Sequence, residues 1–246
     1  MKYETSESIP SPEEAVLLFG TTIVAIRTPA QIVIAADSLS SSAGLMRIRE
    51  SKCKIIPIRG TWFASAGISS NTKRTFDVQQ VAKRYCRQNS PIDNLRIFAE
   101  AIKGPLIEEL TRLRETDKAT YEKKVNSEER VVLQALIAGQ ERGELTTATA
   151  NFIATHADPK PVTIKVEFSS CPPQCDQTRA LTAMGRKDKI TRFLDSRPNL
   201  NRINDGDLAE QMIRLEIDHV EVEGPIDILL ITKRDANWLR RKKECK

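Results

Sequence analysis

The amino-acid sequence predicts an α+β fold: a four-layer αββα sandwich in which two stacked antiparallel sheets are covered by helices on both outer faces. The first reason is the order of the elements. Two groups of β-rich segments are each followed by two helical segments, and one further β-rich segment closes the order, whereas a doubly wound parallel sheet would alternate single strands with helices. The second reason is size, because 246 residues with 40% hydrophobic content can bury a full core in one large domain.

The first half of the chain is predicted to form four strands and then two helices. Segments rich in β-branched residues mark the strands, and Pro29–Ala30 marks a turn that makes the first two a hairpin. Apolar residues at helical spacing mark the helices, the first capped by Ser70 or Asn71 and the second starting near Asp93. The predicted strands are 22–26, 32–36, 54–58 and 61–66; a serine-rich loop covers 38–44, helices cover 76–85 and 93–113, and 116–130 is a frayed helix end or a loop.

The second half repeats this order and ends in a strand. A loop is predicted at the Cys-Pro-Pro-Gln-Cys stretch, and the basic run 240–243 is interpreted as a solvated tail. The predicted strands are 131–138, 145–155, 161–168, 181–184 and 226–232, and the predicted helices run from Gly185 to Leu194 and from Asp205 to Ile217.

Composition and charge argue against several functional classes. No apolar run reaches the length of a membrane span, and residues 1–14 lack the basic start and apolar stretch of a secretory signal. We therefore expect a cytoplasmic protein with no membrane partner. The net charge is +5, but only 5% of residues are aromatic and these do not interleave with basic ones, so no nucleic-acid partner is expected.

The cysteines predict neither a metal site nor a cofactor. Cys171 and Cys175 flank two prolines, but a zinc site would need two further ligands. The two histidines, His156 and His219, do not lie at a zinc-finger spacing from another cysteine. We expect free thiols in a reducing compartment.

One stretch of the chain carries a family resemblance. Leu-Phe-Gly-Thr-Thr at 18–22 is followed by Ile-Val-Ile-Ala-Ala-Asp-Ser at 32–38, Lys-Cys-Lys-Ile-Ile at 52–56 and Ala-Ser-Ala-Gly at 64–67. These segments resemble the leader–mature junction and the first strands of proteasome β subunits and their bacterial relatives, which are N-terminal-nucleophile (Ntn) hydrolases. Thr21 and Asp37 lie sixteen positions apart, as in the family pattern, whereas Lys54 matches after a one-residue insertion in the serine-rich loop. Beyond residue 67 the resemblance rests on element order.

The resemblance implies that the chain cuts itself between Gly20 and Thr21. Residues 1–20 would then be a propeptide, and residues 21–246 a proteasome-like Ntn hydrolase domain with Thr21 as its N-terminal nucleophile. The free α-amine of Thr21 could take the proton of its hydroxyl directly or through a water molecule, because its ordinary pKa is near ~8. The implied function is a self-processing threonine-type amide hydrolase, with a peptide or protein as substrate.

The resemblance also implies roles for three further residues. Lys54 would place a positive charge near the Thr21 hydroxyl, and Asp37 would hold Lys54 by a charge-assisted hydrogen bond. The backbone N–H of Gly67 would stabilise the oxyanion. Each of these residue types is also common for structural reasons: Asp37 could form a turn, Lys54 could be a solvated edge residue, and Gly67 could end a strand.

The resemblance further places Arg47, Ile48 and Arg49 near the specificity pocket. Two arginines there would favour substrates with acidic side chains. The family's assembly implies a homo-oligomer or ring, with an unfoldase or proteasome-like proteins as partners.

Two departures from the family pattern support an alternative function. Arg186 stands where the family has a serine that supports the nucleophile's amine, and the stretch 218–224 replaces the family's Ser-Gly-Gly pattern. A catalytically silent proteasome-like subunit, with a structural or regulatory role, is therefore the alternative to an active peptidase. A third hypothesis is an amidase that acts on a small substrate.

Overall fold

The computed structural model describes residues 16–42, 49–125, 130–155, 161–175, 178–196, 198–217, 222 and 224–245, and only the backbone of residues 49 and 50. These residues form thirteen strands, five α-helices and one 3₁₀ helix. The strands are β1 (Leu17–Gly20), β2 (Thr22–Arg27), β3 (Gln31–Ala36), β4 (Leu39–Ser42), β5 (Arg49–Ser51), β6 (Ile55–Ile58), β7 (Thr61–Asn71), β8 (Val131–Glu141), β9 (Glu144–Thr155), β10 (Thr163–Cys171), β11 (Ala180–Gly185), β12 (Asp227–Thr232) and β13 (Ala236–Arg240). The helices are α1 (Val78–Tyr85), α2 (Pro91–Thr116), α3 (Lys118–Val125), α4 (Asp188–Asp195), α5 (Asp205–Glu216) and the 3₁₀ helix Lys243–Cys245.

The strands form two antiparallel sheets. Among the described residues the large sheet has eight strands in the order β10-β9-β8-β7-β1-β4-β5, with β6 paired to β7. The small sheet has five strands in the order β11-β2-β3-β12-β13. The predicted hairpin of the first two strands is confirmed as β2–β3, with Ile23 opposite Ala36.

Buried apolar side chains form three clusters. One lies between the two sheets, and each of the other two lies on the outer face of one sheet. The large-sheet core lies between the large sheet and α1–α3 and includes Phe63, Phe98 and Phe152. The inter-sheet core joins residues of both sheets, such as Ile34 and Leu136. The small-sheet core lies between the small sheet and α4–α5. The result is an α+β sandwich of two antiparallel sheets with helices packed on them, as the order of the elements predicted.

Three of the helices, α1, α2 and α5, begin after a residue whose side chain caps them. Ser90 Oγ accepts a hydrogen bond from Asp93 N (3.1 Å), with Pro91 in the first turn of α2. For α1 the prediction was wrong: Asp77 is the cap, and Ser70 and Asn71 end β7 instead. Within the described parts of the chain, every helix is too short or too polar to cross a membrane.

Two segments that the sequence did not predict as strands lie inside the large sheet. The predicted loop at 38–44 is wrong for Leu39–Ser42, which forms β4. Leu17–Gly20 forms β1, which lies between β7 and β4 and is buried along its length. Backbone pairing on both sides stabilises such short strands despite the low β propensity of serine and glycine.

The C-terminal residues and the cysteines also require corrections. The basic run 240–243, interpreted as a solvated tail, connects the end of β13 to the start of the 3₁₀ helix. Arg240 and Lys243 are exposed, but the interpretation is wrong for Lys242, which is only 6% exposed. The expectation of free thiols is wrong for four cysteines, because Cys53 is bonded to Cys245 and Cys171 to Cys175. Cys86 is the free cysteine, and burial raises the pKa of its thiol to about 12.

Candidate functional site

The chain passes from the large sheet to the small sheet at the Gly20–Thr21 bond. β1 ends at Gly20 and β2 starts at Thr22, so Thr21 is the link between the two sheets. Both residues have positive φ, 150° at Gly20 and 141° at Thr21. Glycine adopts such values readily, but a β-branched threonine does so only under strain, on the order of 1–3 kcal/mol. The backbone is therefore strained at the residue that the sequence singled out as nucleophile.

The Thr21 hydroxyl is held by a buried carboxylate. Thr21 is 3% exposed and Asp37 is fully buried, and Thr21 Oγ1 donates a short hydrogen bond to Asp37 Oδ1. The same carboxylate accepts hydrogen bonds from the backbone N–H groups of Thr22 (2.9 Å) and Leu39 (3.1 Å). Backbone donors favour the ionised carboxylate, and an ionised Asp37 is an acceptor for the hydroxyl proton.

The candidate lysine, Lys54, is hydrogen-bonded to a serine of β4. Lys54 is 2% exposed, and its Nζ donates to Ser40 Oγ at 2.5 Å. Ser40 is fully buried in β4, the strand next to β1. The sequence identified Lys54, but it placed Ser40 in a loop and gave it no role. A buried lysine without water around it needs such polar partners.

Gly67 is needed where it lies, for a reason that the sequence did not reveal. In β7 it pairs with Gly20 on one side and with Leu133 on the other. Its φ is +94°, and a Cβ atom there would lie 2.5 Å from the carbonyl oxygen of Val132. The glycine thus permits close packing of β7 on β8 and at the same time lies directly opposite the candidate scissile residue.

A turn after β11 holds the carboxyl side of Thr21. Arg186 N donates to the carbonyl oxygen of Thr21 (3.2 Å), and Thr22 Oγ1 donates to the carbonyl oxygen of Arg186 (2.8 Å). A Cβ atom on Gly185, whose φ is +76°, would overlap the Thr21 carbonyl oxygen. Arg186, which replaces the serine of the family pattern, therefore contacts Thr21 through its backbone, while its side chain lies 3.7 Å from Asp188.

Gln134 connects this turn to the large sheet and was missed by the sequence analysis. Its Oε1 accepts a hydrogen bond from Gly185 N (2.7 Å), and its Nε2 donates to Asn151 Oδ1 (2.9 Å). Gln134 is in β8 and Gly185 ends β11, so this bond joins the two sheets beside Thr21. No local motif marks a glutamine for such a role, since its partners are 51 and 17 residues away.

Several predicted positions lie wholly or partly outside the described residues. Arg47 and residues 218–221 and 223 are among them. The backbone of Arg49 is in β5, opposite Ser41, and its side chain is not described. Val222, in the stretch that replaces the family's Ser-Gly-Gly, is fully buried and has no hydroxyl group to offer.

A cleft of about 480 Å³ opens over the Gly20–Thr21 bond. Gly20, Thr21 and Gly67 line it together with Gln134, Gly185 and Arg186. Thr21, Asp37 and Gly67 thus meet at one bond, with Lys54 linked to the neighbouring strand. A hydroxyl with an acceptor for its proton, placed beside a peptide bond, is an arrangement suited to nucleophilic attack.

The fold is shared with a solved protein structure. The Anbu (Gly-1) mutant from Hyphomicrobium sp. strain MC1 is similar over 89% of this chain and 85% of that chain, with a TM-score of 0.54 and 18% sequence identity. No protein-family model and no curated protein matches the chain. At 18% sequence identity this similarity concerns the fold alone.

Proposed function

We propose that this chain is a self-processing threonine-type peptidase of the Ntn hydrolase class, with the four-layer αββα arrangement of that class. The observation that carries the proposal is the hydrogen bond from the Thr21 hydroxyl to the buried Asp37 carboxylate, next to the Gly20–Thr21 bond. The propeptide would be residues 1–20 and the mature domain residues 21–246.

Self-processing would start with attack of Thr21 Oγ1 on the carbonyl carbon of Gly20. The hydroxyl proton passes to Asp37, and the oxyanion that forms on Gly20 is stabilised by the backbone N–H of Gly67, opposite in the ladder. The C–N bond then breaks, the nitrogen takes up a proton to become the Thr21 amine, and an ester joins Gly20 to Oγ1. Water hydrolyses this ester, which releases the Gly20 carboxylate and restores the hydroxyl.

Cleavage of other peptides would use the place that β1 leaves. Without β1, the large sheet has a gap between β7 and β4 in which an extended peptide can pair on both sides. The freed Thr21 amine would then act as base, and the charge of Lys54 would favour the alkoxide-like form of the hydroxyl. Removing one oxyanion donor from such a site typically raises the activation free energy by about 3 kcal/mol.

A catalytically silent subunit is the second candidate, and one observation favours it. β1 is fully buried and paired on both sides, so the uncut leader completes the large sheet. A chain of this kind would keep its leader and serve as a structural or regulatory partner.

The predicted surroundings of the protein stay predictions. A ring or other homo-oligomer, an unfoldase or proteasome-like partner and an acidic substrate preference through Arg47 and Arg49 all follow from the resemblance. Faster cleavage of peptides ending in Glu than of peptides ending in Leu would support that preference, and equal rates would oppose it. A cytoplasmic location also stays a prediction, whereas the two disulfides favour an oxidising environment.

The deciding experiment is the intact mass of the purified chain beside two variants, Thr21→Ala and Thr149→Ala. The active enzyme would lose residues 1–20 in the wild type and in Thr149→Ala, which removes a threonine hydroxyl on β9 that is hydrogen-bonded to Ser169. Thr21→Ala would keep them. Retention of the leader in all three chains would reject self-processing by the isolated chain and favour the silent subunit, and loss in Thr21→Ala would point to an external protease.

A further inference from the structure

The C-terminal segment packs against the residues that lead to Lys54. Lys242 Nζ donates to the carbonyl oxygen of Lys52 (2.6 Å) and to Ser51 Oγ (3.2 Å). Lys242 is 6% exposed, so its ammonium group has exchanged most of its water for these two acceptors. Lys242, which is distant in sequence, therefore holds the backbone of Lys52 and the side chain of Ser51, two and three positions before Lys54.

A disulfide joins the same two segments. Cys53, which directly precedes Lys54, is bonded to Cys245, with a sequence separation of 192 residues and a Cα–Cα distance of 5.6 Å. A cross-link across such a long loop removes much of the freedom that the two ends would otherwise have.

The same segment also contacts the strand beside the one that delivers Asp37. Asp227, 1% exposed at the start of β12, accepts a hydrogen bond from Lys242 N (2.8 Å). Asp227 pairs with Ala36, the residue before Asp37. Burial lowers the pKa of Lys242, an effect opposed by the negative charges of Asp227, Glu244 and Asp37.

We propose that residues 242–245 are a positioning element for Lys54, with Lys242 as the positioning residue and the Cys53–Cys245 disulfide as its lock. Lys242 and the two cysteines of this disulfide are not among the residues that line the cleft over the Gly20–Thr21 bond. Their effect on chemistry passes through the backbone of 51–53, which sets where the Lys54 ammonium group lies. The consequence for self-processing rests on the proposed function, and the positioning itself does not.

Reduction opens the lock by a defined reaction. A dithiol reductant gives two electrons and two protons to the S–S bond, which becomes the two thiols of Cys53 and Cys245, and the dithiol becomes its own disulfide. Lys242 then holds the segment alone, and Lys54 gains freedom to move and to meet solvent.

Amine labelling of Lys54 tests the positioning without any need for activity. Full-length chains that all carry Thr21→Ala, so that each retains its leader, are purified without reductant and treated with acetic anhydride; mass spectrometry then gives the rate at Lys54. Adding Cys245→Ser is expected to raise this rate about tenfold by allowing local opening. The matched control is Cys175→Ser, which removes the short-range Cys171–Cys175 bond at the end of β10 and should leave the rate within about twofold of the parent.

Three results would overturn the inference. They are an unchanged Lys54 rate in Cys245→Ser, an equal rise in Cys175→Ser, and free thiols at both Cys53 and Cys245 in the protein as purified. An unprocessed wild type would reject the proposed function alone, because the labelling experiment does not depend on processing.

Replacement of Lys242 separates positioning from general stability. In a self-processing chain, Lys242→Met is expected to slow leader loss about tenfold or more, since small displacements of a reacting group lower rates strongly. Lys242→Arg can still donate to Ser51 and Lys52, so it should restore the rate to within about threefold. Equal rates for wild type and Lys242→Met would contradict the role of Lys242, as would a failure of Lys242→Arg to exceed Lys242→Met.

Discussion

The strands on the two sides of the Gly20–Thr21 bond are equally buried but differently connected. β2 sends Ile23 and Ala25 into the inter-sheet core and Val24 and Ile26 into the small-sheet core, so its side chains support two cores. β1 sends Leu17 and Phe19 into the large-sheet core alone. β1 is held by backbone pairing to β7 and β4 and by the burial of Leu17, Leu18 and Phe19, whereas the side chains of β2 contribute to two cores.

This difference bears on the proposed removal of the leader. If β1 leaves, the two layers that β2 joins keep their contacts, and the fold loses one strand of the large sheet together with the Leu17 and Phe19 side chains of the large-sheet core. Burial alone would have suggested that residues 17–20 are as indispensable as residues 22–27. The number of cores that a strand supports is the better guide to what the fold can lose.

The largest effect is expected at the junction itself. Asp37→Asn removes the proton acceptor of the Thr21 hydroxyl, and leader loss should slow by about 10³-fold, within the range found for general bases. The rate is measured by intact mass during incubation of freshly purified chain. Slow leader loss in this variant would show that residues of the site itself cleave the bond between β1 and β2.

Asp205→Asn is the matched control for this variant. Asp205 is also buried, and it is bonded to Arg179 (2.7 Å) and Gln31 (2.7 Å), away from Thr21. Leader loss should keep its wild-type rate in this control. A similar slowing in both variants would mean that buried carboxylates matter here through stability rather than through proton transfer.

Side-chain truncations in the large-sheet core and in the inter-sheet core should sharpen the comparison of β1 with β2. In a Thr21→Ala background that keeps the leader, Phe19→Ala and Ile23→Ala should each lower the free energy of unfolding by about 3 kcal/mol, because both side chains are buried. In chains that have shed the leader, the Phe19→Ala deficit should vanish and the Ile23→Ala deficit should remain. Denaturant titration measures both, and a Phe19→Ala deficit in the cut form would show that the leader peptide stays bound.

A smaller effect is expected from adding a side chain at Gly20. A Cβ atom there would lie 2.6 Å from the carbonyl oxygen of Leu39, at a φ of +150°. Gly20→Ala in the uncut background should lower the unfolding free energy by about 2 kcal/mol through clash and strain together. Gly143→Ala has a positive φ of +83° but open space, so its loss of about 1 kcal/mol isolates the strain. If Gly20→Ala and Gly143→Ala lowered the unfolding free energy equally, β1 would accommodate the added Cβ atom without an energetic cost beyond backbone strain.

The part of the site that sequence could predict is the part built by a hairpin. Thr21 precedes β2 and Asp37 follows β3, so antiparallel pairing of two adjacent strands brings their ends together. The spacing of sixteen residues is therefore a local signal. Lys54 and Gly67 were identified through the family resemblance. The strands β6, which follows Lys54, and β7, which contains Gly67, are recognisable from β-branched and aromatic residues.

The rest depends on contacts between distant segments that leave no local pattern. Arg186 meets Thr21 through its backbone 165 positions later in the chain, a contact that no side-chain motif encodes. Three consecutive serines in β4 read as a loop because pairing with β1 and β5, rather than propensity, makes them a strand. The basic run near the C-terminus read as a solvated tail because nothing local shows that Lys242 would meet Ser51 and Lys52.

The smallest effect concerns Cys86 in the large-sheet core, and it tests whether that core stays closed when β1 leaves. Burial raises the pKa of the Cys86 thiol from 9.0 to about 12, so near pH 8 the folded chain holds almost no thiolate and should react slowly with a disulfide reagent. Because the folded pKa is raised, this thiol stabilises the fold fully below pH 9 and loses that contribution as pH rises toward 12. Leader loss should change the labelling rate by less than about twofold, since α1 and α2 still cover the thiol. Cys86→Ser identifies the signal, and rapid labelling of the cut wild type would show that β1 supports more of the large-sheet core than its own two side chains.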